Sequence, residues 1–313
     1  MVRVGLVGYC LTGPLIGVGD SIAAFFVAFM IWGAFQGALD VSMNTQAISV
    51  EGKAARCLMP GFHGSWSMGS LAGAGVGVLG VGIGWTLSEQ LLLLAVPCLF
   101  VVGWLTTRMI PDEPDRQGRT SQQAQKGRRR VLQGTIIVLG SIAFVDMLCE
   151  GAVADWAAVY LRGPLHATSV VAGLGYAAYL AMMMTVRLLG NRLLTRFTAH
   201  SVLPVLALVA TVGLVAALTI DHQETVLVGF TCLGAGLALV VPTVFSACGR
   251  IPNLHAGKAV ATVSACGWAG FVLGPPVIGE LASLTSLRTA LLLLPLLTGV
   301  VAAATATARA LRN

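Results

Sequence analysis

An all-α membrane protein of about ten transmembrane helices is the fold class that the sequence predicts, and three observations predict it. The chain of 313 residues is 56% hydrophobic and 10% charged, with a mean hydropathy of +0.85, whereas ordinary soluble domains are roughly 25% charged. Its apolar residues form continuous runs near the ~20 residues that cross a bilayer core of about 30 Å. A membrane β-barrel would need alternating segments of about ten residues instead. When the runs are counted as spans, 17 of the 19 Lys and Arg residues fall on one side. The 38 glycines and 12 prolines fit the same class, because neighbouring helices re-satisfy backbone groups freed inside a membrane.

In chain order the candidate spans are 4–19, 21–43, 64–84, 88–106, 132–153, 169–190, 202–219, 225–246, 262–282 and 286–308. The first is short and needs tilt or local thinning of the bilayer to cross. With a cytoplasmic N-terminus, only Arg162 and Arg288 lie outside. One miscounted helix would invert every later loop, so the lopsided split supports the count and assigns both ends to the cytoplasm.

Residues 107–131 are the long polar stretch and carry seven basic residues with Pro, Gly and Gln. This composition predicts a flexible cytoplasmic linker between an N-terminal helical half, 1–106, and a C-terminal half, 132–313. The triplet Arg128–Arg129–Arg130 either binds anionic head groups or fixes the orientation of the next helix. The seven cysteines lie mostly in apolar runs without CxxC or Cys/His spacing and read as small buried hydrophobes. A net charge of +6 does not point to nucleic acid here, because the basic residues sit in the short loops between spans.

The last four spans repeat the first four. Starts at 4, 21, 64 and 88 pair with starts at 202, 225, 262 and 286, offsets of 198 residues at three pairs and 204 at one. The basic loop Lys53/Arg56 matches Arg250/Lys258, and the glycine-rich segment 71–77 matches 271–279. Parallel repeats of this kind mark two-halved transporters. Spans 132–153 and 169–190 have no partner in the first half, so the expectation is an N-terminal half of four spans that lacks its first two. A misassigned start or a truncated gene explains this better than a ten-span design.

The run Gly37-Ala38-Leu39-Asp40-Val41-Ser42-Met43-Asn44-Thr45-Gln46, then Phe62-His63, Glu150 to Trp156 and Gly274-Pro275-Pro276, resemble the Major Facilitator Superfamily, in its YbjJ-like branch of bacterial inner-membrane proteins. The resemblance covers essentially the whole chain. It implies a twelve-span fold of two six-helix halves, here about ten helices, with a central cavity and alternating access by rocking of the halves. The superfamily's Gly-x-x-x-Asp-Arg loop motif is absent. Its second-half echo keeps Gly190 and Arg196 but places Thr195 where an acidic residue is expected, which puts the usual inward latch in question.

Acidic residues inside membrane helices cost about 2.5 to 3.5 kcal/mol on insertion scales, so they are functional candidates by default. Gln36, Asp40 and Asn44 are spaced i, i+4, i+8 on one helical stripe. They either bind a polar substrate or tie spans together. Asp146 and Glu150 stand one turn apart, where two carboxyl groups in a poorly solvated cavity suit a proton as coupling ion; water at the outer end, near Glu150 and Asp155, would weaken that role. His63, next to Trp66 and Ser67, is either a proton relay or a hydrogen-bonded interface residue. Arg187 is expected to snorkel or to pair with a carboxylate rather than bind an anion. Trp156 and Tyr160 read as interface anchors. Gly270, Gly274, Pro275, Pro276 and Gly279 permit close helix approach and a kink.

A GxxxxGK[ST] phosphate loop and an HExxH motif are both missing, which excludes transport powered by nucleotide hydrolysis within this chain. The expected function is secondary transport of a small polar solute by alternating access, with a proton as one candidate coupling ion. No enzyme activity and no cofactor are expected, and the partners are a solute, the lipid bilayer and protons, for a monomer. A non-transporting membrane fragment or scaffold is the competing expectation.

Overall fold

The computed structural model describes residues 1–18, 21–110, 122–251 and 254–311, without the side chains of 122–132 and Arg309. Every regular element described is helical: α1 (Val2–Thr12), α2 (Ile22–Ala54), α3 (Met59–Gly82), α4 (Leu87–Leu105), α5 (Gln122–Arg162), α6 (Ser169–Arg196), α7 (Ala199–Ile220), α8 (Gln223–Leu237), α9 (Val240–Gly249), α10 (Ala256–Leu284), α11 (Leu287–Leu291) and α12 (Leu293–Thr307), with three short 3₁₀ turns. Joined end to end where the breaks fall, they form ten rods that correspond to the ten expected spans. Eight are long and apolar enough to cross a membrane. The short first span is α1 continued by a 3₁₀ turn, Gly13–Gly17, a change of helix type that coincides with Pro14.

The rods outrun the apolar stretches at several ends. α2 continues through Glu51 and Lys53 to Ala54, and α5 begins at Gln122, inside the segment expected as linker. Hydropathy marks only what the bilayer covers, while the backbone ladder continues into water until a turn residue stops it. Residues 111–121 of that linker, and the side chains of Arg128–Arg130, lie outside the described residues.

The described residues divide into two units, Met1–Lys53 with Trp66–Asp115, and Ala54–Ser65 with Arg116–Asn313. In the first, small residues on α1 let α2 approach. Cβ atoms added at Gly5 and Gly8 would stand 3.1 Å from Leu39 Cα and 2.1 Å from the Phe35 ring, and Tyr9 stacks on Trp32 at 4.9 Å. Arg3 donates to Thr106 through Nε and a terminal nitrogen, both at 3.1 Å. α4 starts with a capping box in which Thr86 and Glu89 satisfy each other's backbone amides.

In the second unit α5 is the central helix, packed along α10 and also against α6, α9 and α12. Its fully buried stripe includes Cys149, Ala152, Val153, Ala157 and Tyr160. Tyr160, expected as an interface anchor, is instead buried and donates to Asp221. Trp156 is likewise turned inward and donates from Nε1 to Pro275 O at 2.9 Å.

Arg288, one of the two basic residues outside the charge rule, has a structural reason to be there. It donates to Leu218 O at 2.7 Å and Thr219 O at 2.9 Å, and stands 3.4 Å from the carboxylate of Asp221. Asp221 ends α7 in the left-handed conformation, φ +58. The guanidinium therefore caps carbonyls that the last turn of a helix leaves without partners. Arg288→Ala is expected to cost about 1–2 kcal/mol, read as a lower thermal unfolding midpoint in detergent, with Arg288→Lys recovering only part because it lacks the planar fork.

Candidate functional site

Asp146 sits in the middle of α5 with no exposed surface. Both of its carboxyl oxygens are buried, and neither has a hydrogen-bond partner. Burying a carboxyl group without a hydrogen bond is costly. Such a placement in a membrane helix makes Asp146 a functional-site candidate. Glu150 follows one turn later, half-buried, within Coulombic reach of Asp146.

The opposing charge comes from α6. The buried residues of that helix, Ala172, Gly175, Tyr179, Met183, Arg187 and Gly190, recur every three or four positions and define its inward stripe. Arg187 lies on it at 3% exposure, so it does not snorkel. It is within Coulombic reach of Asp146, Glu150 and His63. Its Nε donates to Ala238 O at 3.2 Å. That carbonyl is available because Pro242, four residues on, has no N–H to give it. The same gap coincides with the break between α8 and α9 at Ala238–Leu239. A proline on one helix thus creates the acceptor that holds an arginine from another.

Tyr176 and Tyr179 stack beside the acid pair, centroids 5.8 Å apart and planes 14° apart. Both lie within Coulombic reach of Glu150. Tyr179 is fully buried, and its hydroxyl has no hydrogen-bond partner; the same holds for the hydroxyls of Thr243 and Ser246 on α9. The α8 backbone comes close enough to Tyr179 that a Cβ at Gly234 would stand 2.2 Å from its carbonyl oxygen. The His63 ring lies 5.7 Å from that of Phe245.

The start of α3 is seated on α6. Asn191 Oδ1 accepts from the Gly61 amide at 2.9 Å, and a Cβ at Gly190 would stand 2.7 Å from Pro60. Arg196, the other retained residue of the superfamily's loop pattern, is exposed at the end of α6. Gly270 and Gly274 face α5 at distances that exclude any side chain. Added Cβ atoms would stand 2.1 Å from Phe144 O and 2.3 Å from Leu148 O. Pro275 leaves Phe271 O without its helical donor, and that carbonyl points at Gly151, where a Cβ would stand 2.2 Å away. Glycine there allows a Cα–H···O approach.

The other candidate stripe belongs to the first unit. Asn44, 4% exposed, donates from Nδ2 to Asp40 O at 2.9 Å and Asp40 Oδ1 at 3.0 Å. Gln36 is half-buried one turn earlier. Asp40 and Asn44 are therefore tied along one helix, whereas Asp146 is left with its oxygens unsatisfied. Tyr176, Tyr179, Thr243 and Ser246 were not signalled by residue type. The spacing of Tyr179, Met183 and Arg187 at four-residue steps was the available sign that the arginine faces inward. Among the described residues no group of three or more His, Cys, Asp or Glu is placed to hold a metal ion.

A family model of the Major Facilitator Superfamily matches residues 1–251 and 139–312. The chain is 33% identical over 282 residues to an uncharacterised MFS-type transporter of Yersinia pestis, spanning 90% of this chain and 71% of that protein. It is 30% identical over 284 residues to the membrane protein MosC of Rhizobium meliloti, spanning 89% and 66%. Among solved structures, the E. coli fucose:proton symporter FucP matches with a TM-score of 0.74 at 16% identity, over 97% of this chain and 83% of that one. The proton:xylose symporter XylE matches at 0.73 and 15%, over 96% and 78%. These two likenesses speak to the fold. The family match reaches both ends of the chain and the Yersinia relative exceeds 30% identity over most of its length, so this multi-pass membrane chain belongs to the Major Facilitator Superfamily.

Proposed function

We propose that the chain is a secondary transporter of a small polar solute that works by alternating access, with Asp146 and Glu150 carrying the coupling proton. The observation that carries this reading is the Asp146 carboxyl group, fully buried in a membrane helix with both oxygens unsatisfied. A carboxyl group whose hydration differs between two conformations gains and loses a proton as they alternate. Arg187, held on the α8/α9 break by Ala238 O, links that event to a helix interruption, and broken helices are where transporters place their sites. Membership of a transporter superfamily and a fold shared with solved symporters support the same reading. The 17-to-2 split of basic residues supports a cytoplasmic placement of both ends.

The test is a solute screen in cells and proteoliposomes with an internal pH indicator. A transported solute should drive proton movement in the wild-type chain. Asp146→Asn should abolish solute-driven proton movement while membrane insertion stays at the wild-type level. Undiminished coupling in that variant removes Asp146 from the mechanism. A wild-type chain that moves nothing in the whole screen leaves the scaffold role instead.

A further inference from the structure

Two carboxyl groups on α5 share one nearby guanidinium. Asp146 and Glu150 contribute two carboxyl groups, and the guanidinium within reach of both is that of Arg187, already engaged by Ala238 O. With one of the two carboxyl groups protonated the set is neutral, so a bound cation can take the place of that proton. The unsatisfied hydrogen-bonding groups favour the same kind of ligand. Two carboxyl oxygens of Asp146 and the hydroxyl of Tyr179, which can accept as well as donate, are buried without partners. An ammonium group offers three donors and no acceptor. Its third requirement, an aromatic face, is present in the stacked pair Tyr176 and Tyr179, where Tyr176 is half-buried rather than sealed.

We propose that this site takes a small solute bearing one ammonium group, seated between Glu150 and Asp146 on α5 and the rings of Tyr176 and Tyr179 on α6. The proposal rests on the transport reading for its biological sense, but binding is testable by itself.

The full chain in lipid nanodiscs is titrated near neutral pH with matched probes, glucosamine against glucose and ethanolamine against ethylene glycol. Intrinsic fluorescence and the thermal unfolding midpoint are followed. At least one amine is expected to bind about ten-fold or more tighter than its hydroxyl partner. Glu150→Gln should erase that preference. Tyr176→Phe should keep it, because the ring face remains, and Tyr176→Leu should weaken it. The two tyrosine variants keep the proposal testable where a carboxyl variant fails to fold. Equal binding of both members of each pair, binding by neither amine, or a preference that survives Glu150→Gln and Tyr176→Leu overturns it. A chain that binds amines yet moves none of them across a membrane sinks the transport reading and leaves this site standing. One that transports a neutral polyol and ignores both amines does the reverse.

Discussion

Alanine at Gly270, Gly274 or Gly151 is expected to cost about 3 kcal/mol or more each, enough to shift the purified protein from a single species to aggregate. At each position the obstacle is backbone. The new methyl would stand 2.1 Å from Phe144 O, 2.3 Å from Leu148 O or 2.2 Å from Phe271 O, and a carbonyl embedded in a helix cannot swing aside as a side-chain tip does. The α5 and α10 axes would have to separate, and every contact along the most extensive helix pair of the second unit would loosen together. The control lies in the same sequence. Gly69, Gly73 and Gly75 on α3 have nothing within 4 Å of an added Cβ. Alanine there should change stability by no more than about 0.5 kcal/mol, since it adds no collision and restricts the unfolded chain. Thermal unfolding of the six variants in one detergent checks the contrast. Equal losses in both sets would mean that glycine is needed for its backbone freedom and not for close approach.

That contrast also marks where the sequence stops being legible. Span number and class follow from hydropathy and charge because the bilayer imposes one length and one polarity on every crossing segment, so ten runs became ten rods. Helix ends do not follow, as α2 and α5 show, since backbone hydrogen bonds ignore the apolar boundary. The glycine-rich segments 71–77 and 271–279 look equivalent as repeats, yet only the latter meets a neighbouring backbone. Glycine spacing reveals a face that can accept a close partner and says nothing of whether one is present. The site divides in the same way. Asp146 stood out because a carboxyl group in an apolar run is expensive whatever surrounds it. Asp40 stood out for the same reason, but its satisfaction by Asn44 depends on side-chain rotamers that spacing only permits. Arg187 looked like an interface residue by position along its helix. Its inward direction depends on an angular position around α6 and on a carbonyl freed by Pro242, fifty-five residues away in sequence.

Arg187→Ala is expected to be the most damaging change to the site, at about 3–5 kcal/mol, because it removes a buried cation from beside two carboxyl groups. Part of that loss has a separate origin that a second substitution can isolate. Pro242 withholds the amide that would bond Ala238 O in an unbroken helix, and Arg187 Nε takes its place at 3.2 Å. Pro242→Ala supplies the missing N–H from within the helix. In that background Arg187→Ala should cost less by about 1–3 kcal/mol, the penalty of leaving one buried carbonyl unsatisfied. The remainder is the charge on Asp146 and Glu150, and it should shrink further when Asp146→Asn is added. Unfolding free energies for the four members of the Pro242/Arg187 cycle give the coupling directly. A coupling near zero would mean that the carbonyl contact is incidental and that the arginine is there for the carboxyl groups alone. A coupling of the expected size would make the broken helix and the acid pair one mechanical unit, since any event that draws the guanidinium toward Asp146 or Glu150 must also release Ala238 O and disturb the junction of α8 and α9.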